Sequence, residues 1–233
     1  MEAEGLPLVE SLGLRRDEPS RIAPPAPCVT FSGSRHGIDI HLVCNGKCAV
    51  HGVDNVGTVP AALTTYLALQ ALRPDLVVSV GTAGGFAARG AKIGDVFVAT
   101  GFANHDRRIP LPGFDKYGVW ACGAHPVPNL QKALKLKEGV VSSGNSLDYC
   151  QQDWDQMVAS SAAIKEMEAA GIAWAAALHG TPLLALKAVT DIVDGDRPAQ
   201  DEFLENLAAA ARALQETVPP ALEFVAGKTL AEL

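Results

Sequence analysis

No stretch of this sequence stays apolar for the ~20 residues that a membrane-spanning helix needs, and no secretory leader pattern opens it. The expectation is a cytoplasmic protein with no membrane partner. Basic residues are also short: 19 Lys and Arg against 26 Asp and Glu leave a formal charge of −7. That balance excludes a sequence-independent grip on nucleic-acid phosphates. Cysteine is sparse and odd in number, at positions 28, 44, 48, 122 and 150. Cys44 and Cys48 are four apart, but no second Cys or His pair completes a zinc spacing, so reduced thiols and no metal are expected. There is no internal repeat and no domain-sized linker. What is present is apolar: 48% hydrophobic against 19% charged residues, enough to build a core and too apolar for disorder. A length of 233 residues reads as one α/β domain spanning 1–233.

The segment Pro182–Asp191 organises the rest. It is a short apolar run bounded by turn residues, the pattern of a strand buried on both faces. Its polar residues, Thr190 and Asp191, fall at its carboxyl end, where open α/β sheets bind ligands. Lys187 interrupts the run, and strict alternation puts Lys187, Val189 and Asp191 on one face. A buried Lys or Asp is unfavourable unless paired or used. The plain structural reading is therefore a Lys187–Asp191 pair at a strand end.

Periodicity and turn residues predict the other elements. Met1–Leu12 reads as a short helix, and 15–27 as a proline-rich loop. Strands over 28–33 and 38–44 form a hairpin. A helix starts near Thr58 and runs to Arg73-Pro74. Leu76–Val80 is a buried strand that empties into Gly81-Thr-Ala-Gly-Gly85-Phe, read as a turn. Glycines after a strand let backbone N–H groups approach a ligand, but the spacing is neither a dinucleotide fingerprint nor a P-loop. Val96–Ala99 is another strand. The following stretch, 104–118, is long and irregular for a compact domain, and reads as a pocket wall or subunit contact. Its His105-Asp106 pair fits acid/base chemistry or, more plainly, a structural hydrogen-bonded pair. Helices follow over Asn129–Lys135 and 151–161, with a strand over Gly139–Ser143 between them. Glu168 precedes an Ala- and Gly-rich helix capped at His179-Gly180 and stands where a carboxylate suits the helix dipole. A long amphipathic helix runs from about Asp201 to Val218, broken by Pro219-Pro220 and followed by a helical tail. From residue 58 onward strands alternate with helices. The fold class is thus α/β: a single three-layer domain with a mixed, mainly parallel central sheet flanked by helices.

Met1 and Glu4 opening a helix, the run Gly81-Thr-Ala-Gly-Gly85, Glu166-Met-Glu168-Ala and Lys187-Ala-Val-Thr-Asp191 occur in that order. Together they resemble the 5′-methylthioadenosine/S-adenosylhomocysteine nucleosidases of the nucleoside phosphorylase superfamily. His105-Asp-Arg-Arg-Ile-Pro-Leu-Pro112, Asp54–Pro60, Ser143–Asp148 and Asp191–Asp196 are similar to the plant-type branch. The resemblance covers almost the whole chain. It implies a nucleoside phosphorylase-like fold and hydrolysis of methylthioadenosine to adenine and methylthioribose, without cofactor or metal, in methionine salvage. A glycosidic bond of this kind breaks through an oxocarbenium-like state, with an acid on the leaving group and a base on water.

Carried onto this chain, the resemblance makes Asp191 the acid that protonates the adenine ring and Glu4 the base that activates water. Lys187 and Thr190 would position Asp191. Glu168 would accept the ribose hydroxyls, with Met167 beneath the sugar, and Thr82 would border ribose and water. Leu147 would lie beside the adenine, and Met1 would line the site. Phe114 and Tyr117 would reach across the interface of a homodimer. Two departures accompany it. The family begins with an apolar strand before the Met1 position: either the start is misassigned, or the chain is shortened, in which case Glu4 is expected on a frayed end, the sheet short of one strand and activity poor or absent. Asn145 stands where plant relatives carry Asp, with a small expected effect. The alternatives are a phosphorolytic member, for which Arg35, Arg107 and Arg108 are the candidate phosphate donors, and a non-catalytic storage or binding relative. Glu4 favours hydrolysis over the first, and the three carboxylates together argue against the second. Acceptance of S-adenosylhomocysteine would turn on room at the mouth beside 104–118.

Overall fold

A computed structural model describes residues 1–233. In chain order the elements are α1 (Glu2–Leu12), β1 (Arg15–Arg16), β2 (Val29–Arg35), β3 (Ile38–Cys44), α2 (Thr58–Leu72), β4 (Val77–Gly85), β5 (Val96–Asn104), α3 (Phe114–Val119), β6 (Cys122–Gly123), α4 (Pro128–Leu134), β7 (Lys137–Ser143), α5 (Gln151–Ala159), β8 (Ala162–Glu166), α6 (Ala169–His179), β9 (Leu183–Ile192) and α7 (Ala199–Val225). Six strands form the central sheet in the order β6-β5-β7-β8-β4-β9, and β5 also pairs with β9, which closes the sheet on itself. The β4–β9, β5–β7 and β7–β8 ladders are parallel; β4–β8, β5–β6 and β5–β9 are antiparallel. The mixed sheet is as expected. The hairpin is not part of it: β2 and β3 pair with β1 in a separate three-stranded sheet.

β9 is buried along nearly its whole length because its two faces feed two cores. Leu184, Leu186 and Ala188 pack with Leu8 and Leu12 of α1, Leu130 of α4 and Leu214 and Val218 of α7. Leu183, Ala185 and Val189 pack with Leu69 of α2 and Ala169, Ala173 and Ala176 of α6. Alanine on α6 brings that helix backbone close to the sheet. Helix layers on both faces give the three-layer arrangement.

Three elements differ from the sequence reading. α7 runs unbroken through Pro219 and Pro220. Each proline removes one helical N–H bond, at about 3 kcal/mol or more. The buried stripe Ala210, Leu214, Val218 and Ala221 continues across them and holds the helix in register. The segment Ala162–Glu166 is a fully buried strand, hidden in the sequence because Lys165 and Glu166 look like surface residues. The irregular stretch after 104 carries a short helix, α3.

Candidate active site

The segment from Gly81 to Gly85, expected as a turn, is instead the last half of β4. Its glycines serve side-chain crossings rather than a tight bend. Gly81 pairs with Lys187 of β9, and a Cβ there would stand 3.5 Å from both Lys187 Nζ and Glu4 Oε1. Past β4 the Lys187 ammonium reaches Glu166 on β8, donating to Oε2 at 3.0 Å. Gly84 pairs with Asp191, and a Cβ there would stand 2.6 Å from Asp191 Oδ2. At Gly84 a Cβ would collide with the Asp191 carboxylate, so glycine is what leaves that carboxylate room.

Lys187 and Asp191 do not form the expected pair. The ladder shifts between Ala83 and Gly84: Val189 pairs with Ala83 and Asp191 with Gly84, leaving Thr190 outside the register. Such a bulge re-aims the side chains that follow it. Lys187 therefore turns to Glu166, not to Asp191. Glu166 also accepts from the Glu168 and Ala169 N–H groups and from the Ser143 hydroxyl. Burial opposes the Lys187 charge, but Glu166 and then Glu168 outweigh it, holding the ammonium above its ordinary value. Thr190 does contact Asp191: its hydroxyl lies 2.8 Å from Asp191 Oδ1 and 3.2 Å from the Ala83 carbonyl oxygen. Burial raises the Asp191 carboxyl above its usual range, opposed by the Thr190 hydroxyl and by Lys165, and aided by Glu202 of α7.

Glu4 is held rather than frayed. β4 and β8 pair only at Gly84 and Gly85, so the Thr82 N–H has no strand partner on that side. Glu4 Oε1 takes it at 2.7 Å and the Thr82 hydroxyl at 2.6 Å, while Oε2 accepts from the Met1 ammonium at 2.6 Å. Burial alone would raise this carboxyl. The Met1 ammonium and the Thr82 donors reverse the sign and hold it below its ordinary value.

Glu168 is the N-cap residue of α6, and its Oε1 accepts the Gly57 N–H at 2.8 Å. Burial and then the neighbouring Glu166 push its carboxyl up, against Lys187 and the Gly57 donor. Met167, half-buried, links Glu166 to Glu168. Leu147 is 44% exposed, and its carbonyl accepts from Lys165 at 2.7 Å. The structure thus joins Met1, Glu4, Thr82, Glu168 and Lys187 in one group and Thr190 with Asp191 beside Gly84, while Leu147 is linked to them only through Lys165. Phe114 and Tyr117 stand apart, about half exposed on α3; their partners are each other, edge to face at 6.4 Å, and the Arg107 guanidinium 5.1 Å from the Tyr117 ring.

The pair His105-Asp106 is not a pair. His105 Nδ1 lies 3.0 Å from the Ser142 hydroxyl, and burial followed by Lys165 pushes the imidazole below its ordinary value. Asp106 Oδ2 accepts the Asn145 N–H and side-chain amide at 2.6 and 2.9 Å. Asn145 Oδ1 in turn accepts from the Thr58 N–H and hydroxyl, both at 2.9 Å. This connection and Lys165 escaped the sequence reading. The one signal for Lys165 was a charged residue two places before Met167, which a strand assignment would have buried.

A family model described as the phosphorylase superfamily matches residues 1–223. Among curated relatives, a 5′-methylthioadenosine nucleosidase of Arabidopsis thaliana is 46% identical over 233 residues, covering 100% of this chain and 87% of the relative. A 5′-methylthioadenosine/S-adenosylhomocysteine nucleosidase of the same plant is 43% identical, covering 100% and 92%. The apo structure of Arabidopsis thaliana 5′-methylthioadenosine nucleosidase superposes with a TM-score of 0.98 at 45% identity, over 100% of this chain and 96% of the other. The chain belongs to the phosphorylase superfamily, in its methylthioadenosine nucleosidase branch.

Proposed function

We propose that this protein hydrolyses the N-glycosidic bond of 5′-methylthioadenosine, giving adenine and methylthioribose. The observation that carries the proposal is the opposite bias of two carboxyls at one strand. Glu4 accepts the Thr82 N–H and hydroxyl, donors that favour its ionised form, and burial favours the protonated form of Asp191. Carboxyls pushed apart in this way divide into base and acid. Glu4 takes a proton from the attacking water, and Asp191 delivers one to the purine as it leaves. Glu168 accepts the ribose hydroxyls with Met167 under the sugar, Thr82 borders ribose and water, and Leu147 lies beside the adenine. Thr190 holds Asp191, and Lys187 holds Glu166 and offsets the charge of Glu168. Met1 lines the site beside Glu4.

Hydrolysis is preferred to phosphorolysis because the candidate phosphate donors are engaged elsewhere. Arg35 donates to the Ser11 carbonyl, Arg108 to Asp153, and Arg107 lies over Tyr117. A storage role gives Glu4, Glu168 and Asp191 no use. The reaction belongs to methionine salvage, in the cytoplasm; no helix is long and apolar enough to cross a membrane. The working form is a homodimer in which Phe114 and Tyr117 reach the partner. S-adenosylhomocysteine, which appears in the name of the second Arabidopsis relative, is the second substrate to assay.

The test is adenine release from methylthioadenosine with and without phosphate. Equal rates are expected. Release that requires phosphate, or no release in either buffer, would overturn the proposal.

A further inference from the structure

Lys165 is 6% exposed, and its ammonium donates to the backbone carbonyls of Ser146 at 3.1 Å and Leu147 at 2.7 Å. An ammonium carries three N–H donors, so these bonds engage two of them. Burying a lysine without a direct carboxylate partner is unfavourable, and a surface lysine elsewhere on the loop could cap the same carbonyls more cheaply. Its place in the sheet supplies a reason. Gly84 of β4 is the ladder partner of Lys165 on β8 and of Asp191 on β9. Lys165, Gly84 and Asp191 form one row across three strands, their side-chain directions on one face. Adjacent strands lie about 4.8 Å apart, and the middle residue of the row has no side chain. A Cβ at 84 would stand 2.6 Å from Asp191 Oδ2, so any other residue there would displace the carboxylate from this row.

We propose that Lys165 is a positioning residue for the glycosidic step: it fixes the Ser146–Leu147 backbone beside the adenine and balances the charge that Asp191 acquires on giving up its proton. The inference rests on the nucleosidase reading. The electrostatics agree with the geometry. Burial lowers the Lys165 ammonium, and Asp191 is the largest of the charges that oppose this, followed by Asp148, Glu166 and Asp153. Around Asp191 stand the Thr190 hydroxyl, Lys165 and, from α7, Glu202; His105 also faces Lys165.

The experiment is the pH profile of adenine release for the wild type and Lys165→Met, with a thermal melt of each. An acid that must be protonated loses activity as pH rises through its pKa. Lys165 holds the Asp191 pKa down, so removing it moves that limb to higher pH. Lys165→Met is expected to lower kcat roughly tenfold to a hundredfold and to displace the limb upward. A wild-type kcat, or a lower kcat with the limb unmoved, overturns the proposal, the latter leaving Lys165 a merely structural residue. If the Met variant melts below the assay temperature, Lys165→Gln, which keeps a donor without the charge, decides by the same criterion. Wild-type protein that releases no adenine refutes the nucleosidase reading itself, an outcome separate from failure of the Lys165 proposal.

Discussion

Asn145 uses both ends of its amide. Its oxygen accepts two donors from Thr58, and its nitrogen donates to Asp106, whose other oxygen is buried with no partner. One residue before Thr58, the Gly57 N–H holds Glu168. The chain Asp106, Asn145, Thr58, Gly57, Glu168 ties the loop after β5 and the loop after β7 to the first turn of α2 and to the Glu168 carboxylate. Asn145→Asp would set a second carboxylate against Asp106 Oδ2, and the pair would hold a shared proton more tightly in the folded than in the unfolded state. A folded-state carboxyl pKa raised in this way leaves stability intact at low pH and removes it as pH rises. The variant is expected to lose about 1 kcal/mol at neutral pH and little in acid. Chemical denaturation of both proteins at two pH values checks this; equal stability at neutral pH would contradict it. Glu4, Glu168 and Asp191 were legible in the sequence because ordered motifs surround them. Asn145 and Lys165 were not, since their partners lie in other segments and nothing local marks a contact across a sheet.

At the scale of elements, the legible features were those with a strong local period. The helix over 58–72 and the hairpin were placed within a residue or two. β4 was cut short because glycine normally signals a turn, whereas here the strand continues through Gly85 and Gly84 leaves room for Asp191 of β9. The two prolines of α7 misled for a parallel reason: local propensity favoured a break, and a buried stripe spanning them decided otherwise. α2 and α6 carry the opposite kind of evidence. Val59, Leu63 and Tyr66 follow helical spacing on the outer side of α2, and Trp174 and Leu178 do so on α6, all at least 37% exposed. The two helices cover the same sheet face, with Tyr66 edge-on to His179 at 4.9 Å. Exposed apolar residues at helical spacing are what an interaction surface presents, and they are the observation that supports the proposed homodimer. Leu178→Arg is expected to shift the sedimentation profile from dimer to monomer. A wild-type profile that is already monomeric would contradict the assignment.

For the whole molecule, the closed sheet brings together parts that are remote in the chain. Glu4 belongs to the first turn and Asp191 to the last strand, and β4 runs between them, holding the first through Thr82 and facing the second at Gly84. The mixed sheet with helices on both faces followed from the alternation of elements; its closure through β5 and β9 did not, because an antiparallel contact over three residue pairs leaves no mark on either strand's sequence. The central claim is that these two carboxyls, biased in opposite directions, perform hydrolysis as base and acid. The most direct measurement is single-turnover adenine release from methylthioadenosine in phosphate-free buffer by the wild type, Glu4→Gln and Asp191→Asn. Each substitution is expected to slow release by about a hundredfold or more while the folded protein is retained. Release at the wild-type rate from either variant would contradict the account.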